Sequence, residues 1–184
     1  MTISNILAIY NLSSASEIRA GLDWYAVAHN EALGISERHN VPLTTVIGVI
    51  AALSPNNKWR RNLDNADALI AAYLDGEPVE SVKVSTYHTM KAKAWSILAD
   101  QLDNTDDILT RLNGQKIKSF YECILGVVHG ICIDGHALNI WRNERHGLTS
   151  DKTNIGKRLY AEIQADYLEA GKAVTYQGRK LTAY

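Results

Sequence analysis

The chain has 184 residues, 46% of them hydrophobic, with only three prolines. That suits one compact domain over residues 1–184 with a real core. It shows no positive-then-apolar leader and no apolar run of about 20 residues, so a secreted or membrane protein is not expected and a cytoplasmic one is.

The formal net charge is −1, which does not advertise a nucleic-acid binder. Split at Leu112, the chain is uneven. Residues 1–111 hold 9 Lys/Arg against 13 Asp/Glu, a net of −4, and residues 112–184 hold 10 against 7, a net of +3. A local phosphate-facing patch and ordinary solvated helix faces both fit this asymmetry. The two cysteines, Cys123 and Cys132, sit in apolar surroundings. They read as core residues of a reducing compartment, and two thiols cannot build a four-thiolate site.

Helix formers dominate, and no alternating run makes a convincing strand. The fold is expected to be all-α. Ser14-Ala15-Ser16-Glu17 fits a capping box. Ile18, Leu22, Tyr25, Ala26 and Leu33 then keep helical spacing to about Arg38. His29 and His39 lie on or beside this helix, and without metal-like partner spacing they read as surface or satisfied core histidines. Pro42 to Leu53 forms a second helix, apolar on most faces and therefore buried.

That helix ends in Ser54-Pro55-Asn56-Asn57-Lys58-Trp59-Arg60-Arg61-Asn62. Cations pair with phosphates, amides fill or read a vacated base position, and an aromatic stacks on a base. Asn56, Asn57, Lys58, Trp59 and Arg60 are thus candidate DNA contacts. The same residues also suit a polar interhelix turn with Trp59 folded into the core.

Helices follow over Arg61 to Leu74 and Tyr87 to Leu102, separated by a strand-like fragment at Val82 and Val84 too short to be a sheet. Lys91 and Lys93 read as solvated lysines. Asp103 to Asp107 is an acidic turn in which Thr105 or Asp106 caps the next helix. Leu112-Asn113-Gly114 is then a tight turn, and Ile117, Phe120, Tyr121, Ile124 and Leu125 keep helical spacing. Successive backbone amides at such a turn bind phosphate without reading sequence. After Gly130, Ile131-Cys132-Ile133 runs apolar and Asp134-Gly135-His136 opens another helix. A further amphipathic helix covers Asp151 to Glu169. Thr175 to Lys180 reads as a polar loop. Leu181 to Tyr184 looks like the first turn of a helix, as if a C-terminal helix were truncated.

The stretch Leu112–Trp141 resembles the helix-hairpin-helix DNA glycosylases, the superfamily of endonuclease III and the oxoguanine glycosylases. Their hairpin reads L-P-G-x-G-x-K-x-A, and V-D-x-H-h follows about one helix later. Leu112-Asn113-Gly114 stands for L-P-G, Lys118 falls at the Schiff-base lysine, and Ile133-Asp134-Gly135-His136-Ala137 stands for V-D-x-H-h. Leu53-Ser54-Pro55-Asn56 is similar to the family's L-S-A-Q, with Asn56 at the Gln that enters the gap left by a flipped base. Met90 to Leu98 resembles the family's N-S-K-A-x-x-I segment. The proline is Asn113, the second glycine Lys116 and the helix alanine Phe120. The cysteine cluster of the iron–sulfur members is absent.

The resemblance implies a two-lobed helical fold with a helix-hairpin-helix at about 108–125, a catalytic Asp loop at 130–136 and a DNA cleft between the lobes. It implies a monomeric DNA N-glycosylase acting on double-stranded DNA by nucleotide flipping, with or without AP lyase activity, in a bacterial cell or a phage-infected host. Asp134 would stabilise charge developing at C1′, a role compatible with capping its helix. Lys118 would be the attacking amine, with Lys116 the alternative; either could instead bind phosphate. Asn113, Gly114, Gln115, Lys116 and His136 would contact DNA. No cofactor and no metal are expected, since a zinc site from His129, His136 and Cys132 has irregular spacing. Three other readings stay open: a non-catalytic hairpin DNA-binding module, a phage enzyme acting on hypermodified pyrimidines, and a helical interaction protein.

Overall fold

The computed structural model describes residues 2–127, 131–147 and 155–181, without the Arg179 side chain. Among the described residues the chain is all-helical apart from one short ribbon. The helices are α1 (Thr2–Leu12), α2 (Ala15–His39), α3 (Leu43–Leu53), α4 (Trp59–Leu74), α5 (His88–Ala99), α6 (Thr105–Leu112), α7 (Gln115–Leu125), α8 (Gly135–Arg142) and α9 (Lys157–Ala173). The strands β1 (Thr175–Tyr176) and β2 (Arg179–Lys180) pair antiparallel. No described helix is long and apolar enough to cross a membrane.

The chain divides into two compact units: residues 25–127, and residues 1–24 together with 128–184. The 25–127 unit is built around α3. Every residue from Thr45 to Leu53 is buried, because the helix is apolar on all sides and α4, α5, α6 and α7 all pack on it. Each of its fully buried Ile and Leu side chains contributes about 1.5–3 kcal/mol of transfer free energy. Gly48 lets α6 and α5 approach, since a Cβ there would lie 2.9 Å from Ile108 Cγ2 and 3.4 Å from Ile97 Cδ1.

The other unit packs α1 on α8 and α9. Its core is Ile131, Ile133, Leu138, Tyr160 and Ile163. Asp166 fastens it, accepting from Trp141 Nε1 at 2.7 Å and from Thr2 Oγ1 at 2.5 Å, while Asn5 Nδ2 donates to the Trp141 carbonyl at 3.0 Å.

Several sequence expectations meet the structure directly. Ser14 and Glu17 form the capping box: the Ser14 amide donates to Glu17 Oε2 at 2.8 Å and the Glu17 amide to Ser14 Oγ at 3.3 Å. His29 Nδ1 lies 2.9 Å from the Ile124 carbonyl and His39 Nε2 lies 2.9 Å from Asp67 Oδ1, so both rings are engaged within the fold.

Others shift. The cap of α6 is Asn104, which accepts from the Asp107 amide at 3.0 Å, and not Thr105 or Asp106. Both Asn104 and the expected residues suit a cap; the helix simply starts one residue earlier. The strand-like fragment at Val82 and Val84 takes no regular structure, and a short 3-10 turn, Val79–Ser81, precedes it. The polar 175–180 loop folds into the β1–β2 ribbon because Gln177 and Gly178 both take positive φ, the backbone that a tight hairpin needs. Residues 182–184, in the expected final helical turn, lie outside the described residues.

Candidate functional site

The first group of candidate residues sits where α6 passes into α7. Asn113 has φ of 43° and Gly114 φ of 130°, so the chain reverses in two residues. That backbone at 114 favours glycine. The Gly114 carbonyl accepts from the Lys118 amide at 3.0 Å and starts α7. Gly114 has no side chain to cap the first amides of α7, and Asn113, Gly114, Gln115 and Lys116 are all exposed there. Lys118 is half-buried one turn on.

Lys93, read from sequence as solvated, holds this turn from α5. Its Nζ donates to the Leu112 carbonyl at 2.5 Å and to the Asn113 carbonyl at 3.4 Å. Partial burial pushes its pKa below the usual lysine value. Lys91 likewise spends its ammonium on the carbonyls of Val79 and Val82, each at 2.9 Å.

The second group is the turn between α3 and α4. Pro55 and Asn56 make its corner, with the Asn57 amide donating to the Ser54 carbonyl at 3.2 Å. Asn56 is exposed with φ of 53°, the backbone expected of Asn after Pro in a type II turn. Asn57 turns inward, donating to the Leu53 carbonyl at 3.2 Å. Lys58 and Arg60 are exposed, and Arg60 Nε lies 3.5 Å from Asp64. Trp59 packs edge-on to Phe120 at 6.2 Å and donates from Nε1 to Glu31 at 2.7 Å, so the core takes up part of its ring.

The third group is in the other unit. Asp134 caps α8: its Oδ1 accepts from the His136 and Ala137 amides at 2.9 Å each. Among the described residues nothing donates to Oδ2. The carboxylate is half-buried, and the His136 ring beside it is exposed.

One face of α9 holds the segment that carries Asp134. The Ile133 amide donates to the Tyr160 hydroxyl at 2.8 Å, Gln164 Nε2 donates to the Ile131 carbonyl at 2.7 Å, and the Tyr167 hydroxyl donates to the Ala137 carbonyl at 3.0 Å. Burial first, and the Asp134 carboxylate second, raise the Tyr167 pKa. Positions 160, 164 and 167 recur at helical spacing. Sequence reasoning registered only the apolar stripe of this helix and missed its polar tips.

The candidate residues therefore fall into two sets. The hairpin with Lys116 and Lys118, and the 56–60 turn, belong to the 25–127 unit; Asp134 and His136 belong to the other. His129 and Gly130 lie outside the described residues. Among the described residues no cluster of three His, Cys, Asp or Glu could hold a metal ion.

No curated protein and no solved structure matches the chain. One family model does, over residues 1–184, and it is described as a family of unknown function, DUF7178. The chain belongs to this family.

Proposed function

We propose that the chain is a DNA N-glycosylase that extrudes a nucleotide and cleaves its base from the sugar, with an AP lyase step at a hairpin amine. The observation that carries the reading is Asp134. Its Oδ1 is locked by two backbone amides at a helix mouth, and among the described residues nothing donates to its Oδ2. A carboxylate so fixed stabilises positive charge developing at C1′ without having to reorganise. The exposed turn at 113–116 supports the reading too, since a helix start with no side-chain cap favours a phosphate.

The reading gives each candidate residue its own task. The 113–118 hairpin holds a backbone phosphate, and exposed Asn56 fills the place of the extruded base. The lone pair of the Lys118 amine forms a bond to C1′ while the base leaves with the glycosidic electrons and takes up the proton that the nitrogen sheds; the C1′–O4′ bond then breaks, O4′ takes a proton from solvent, and the nitrogen lone pair completes the Schiff base. Lys116 is the second choice for this amine.

A non-catalytic DNA-binding module is the runner-up. The cap bonds give Asp134 a structural reason to be Asp without any chemistry. Asp134→Asn separates the two, because Asn caps as well as Asp but carries no charge. Base release from duplexes bearing a panel of modified bases, lost in Asp134→Asn with binding retained, supports the glycosylase. Release intact in Asp134→Asn removes Asp134 from the chemistry. No release by the unaltered chain from any duplex, with salt-dependent binding present, favours the module.

A further inference from the structure

An open groove of about 560 Å³ runs along α8 next to the Asp134 cap. His136 joins the two, since its amide donates to Asp134 Oδ1 and its residue lines the groove. His136, Ile140 and Asn143 follow at i, i+4 and i+7 on one stripe, a run of about 10 Å along the helix. Ile9 of α1 forms the apolar wall opposite and is 42% exposed.

The far end is built by Asn139. Its Nδ2 donates to the His146 carbonyl at 2.9 Å and its Oδ1 accepts from the His146 amide at 3.3 Å. This pair folds the 143–146 segment back and brings Arg145 to the groove. Glu144 lines the same end, but its Oε2 lies 2.8 Å from His146 Nε2. Among the described residues no carboxylate pairs with the exposed Arg145. The groove therefore joins an exposed guanidinium, an exposed imidazole and an exposed amide to an apolar wall.

We propose that this groove holds one strand of nucleic acid on the flank of the sugar that Asp134 serves. A phosphodiester pairs with the Arg145 guanidinium, His136 and Asn143 add donors, and sugar carbons rest on Ile9 and Ile140. The assignment rests on the nucleic-acid reading above. It adds a phosphate contact that lies in the same unit as Asp134 and is separate from the hairpin. Guanidinium matches phosphate with two parallel hydrogen bonds, and lysine keeps the charge as a point contact.

The test is DNA affinity against salt, using a short duplex that carries an abasic-site analogue. Each phosphate neutralised contributes about 0.9 to the slope of log affinity on log salt. Arg145→Gln is expected to lower that slope by about one, and Arg145→Lys to keep it. Circular dichroism melts should be unchanged in both, because Arg145 is exposed. An unchanged slope in Arg145→Gln, or an equal loss in Arg145→Lys, overturns the groove assignment and leaves the glycosylase reading standing. A flat salt dependence in the unaltered chain overturns the nucleic-acid reading itself, and the groove assignment with it.

Discussion

The ammonium of Lys93 donates to the carbonyl oxygen of Leu112 at 2.5 Å, and so ties α5 to the last residue before the hairpin turn. Lys93→Met is therefore expected to loosen the hairpin. The cost to stability is about 1.5 kcal/mol, at the low end for a charged hydrogen bond because Lys93 is only half-buried. DNA binding should weaken while Lys93→Arg recovers part of it. Salt titrations of the two variants check this, and equal affinity in Lys93→Met and the unaltered chain would show that the tie does nothing for the turn.

Asp134 has two separable duties. Asp134→Ala removes the cap and should destabilise the chain by about 1 kcal/mol in urea unfolding, whereas Asp134→Asn should be nearly neutral. Base release should be lost in both. Stability that falls as much in Asp134→Asn as in Asp134→Ala would mean that the charge, and not the cap, holds α8.

Tyr160 carries the strand-like segment before Asp134 on its hydroxyl. Tyr160→Phe leaves the buried Ile133 amide without its acceptor, at a cost of about 1–3 kcal/mol. Thermal melts read this directly. A loss under about 0.5 kcal/mol would mean that the segment finds another acceptor.

Tyr167 makes the stability depend on alkaline pH. Its folded pKa lies above the ordinary tyrosine value of 10.0. The unfolded chain thus gives up this proton first as pH rises. The contribution is fully present below pH 10 and is lost as pH climbs past it. Melting temperature should fall above that pH in the unaltered chain and fall less in Tyr167→Phe. Parallel profiles for the two proteins would remove Tyr167 as the cause.

Much of the helical layout was legible from residue spacing. The α3 helix reads as buried because Val46, Ile47, Val49, Ile50 and Leu53 leave no polar face, and it is buried. The capping box at Ser14 was legible because two side chains at fixed spacing answer two amides. Helix α1 was not marked, although Ile3, Ile6, Leu7 and Tyr10 have helical spacing. Lys93 and the Tyr160, Gln164 and Tyr167 contacts were not legible for a different reason. Each bonds to backbone atoms 19 to 33 residues away, and a carbonyl has no sequence signature. The roles of Lys118 and Asn56 rest on motif resemblance alone.

The measurement that tests the account most directly is borohydride trapping on a duplex carrying an abasic site. The account predicts a covalent protein–DNA band that disappears in Lys118→Ala and persists in Lys116→Ala. A band lost only in Lys116→Ala keeps the chemistry and moves the amine by two residues. No band from the unaltered chain contradicts the amine step, and no band together with no salt-sensitive binding contradicts the account as a whole.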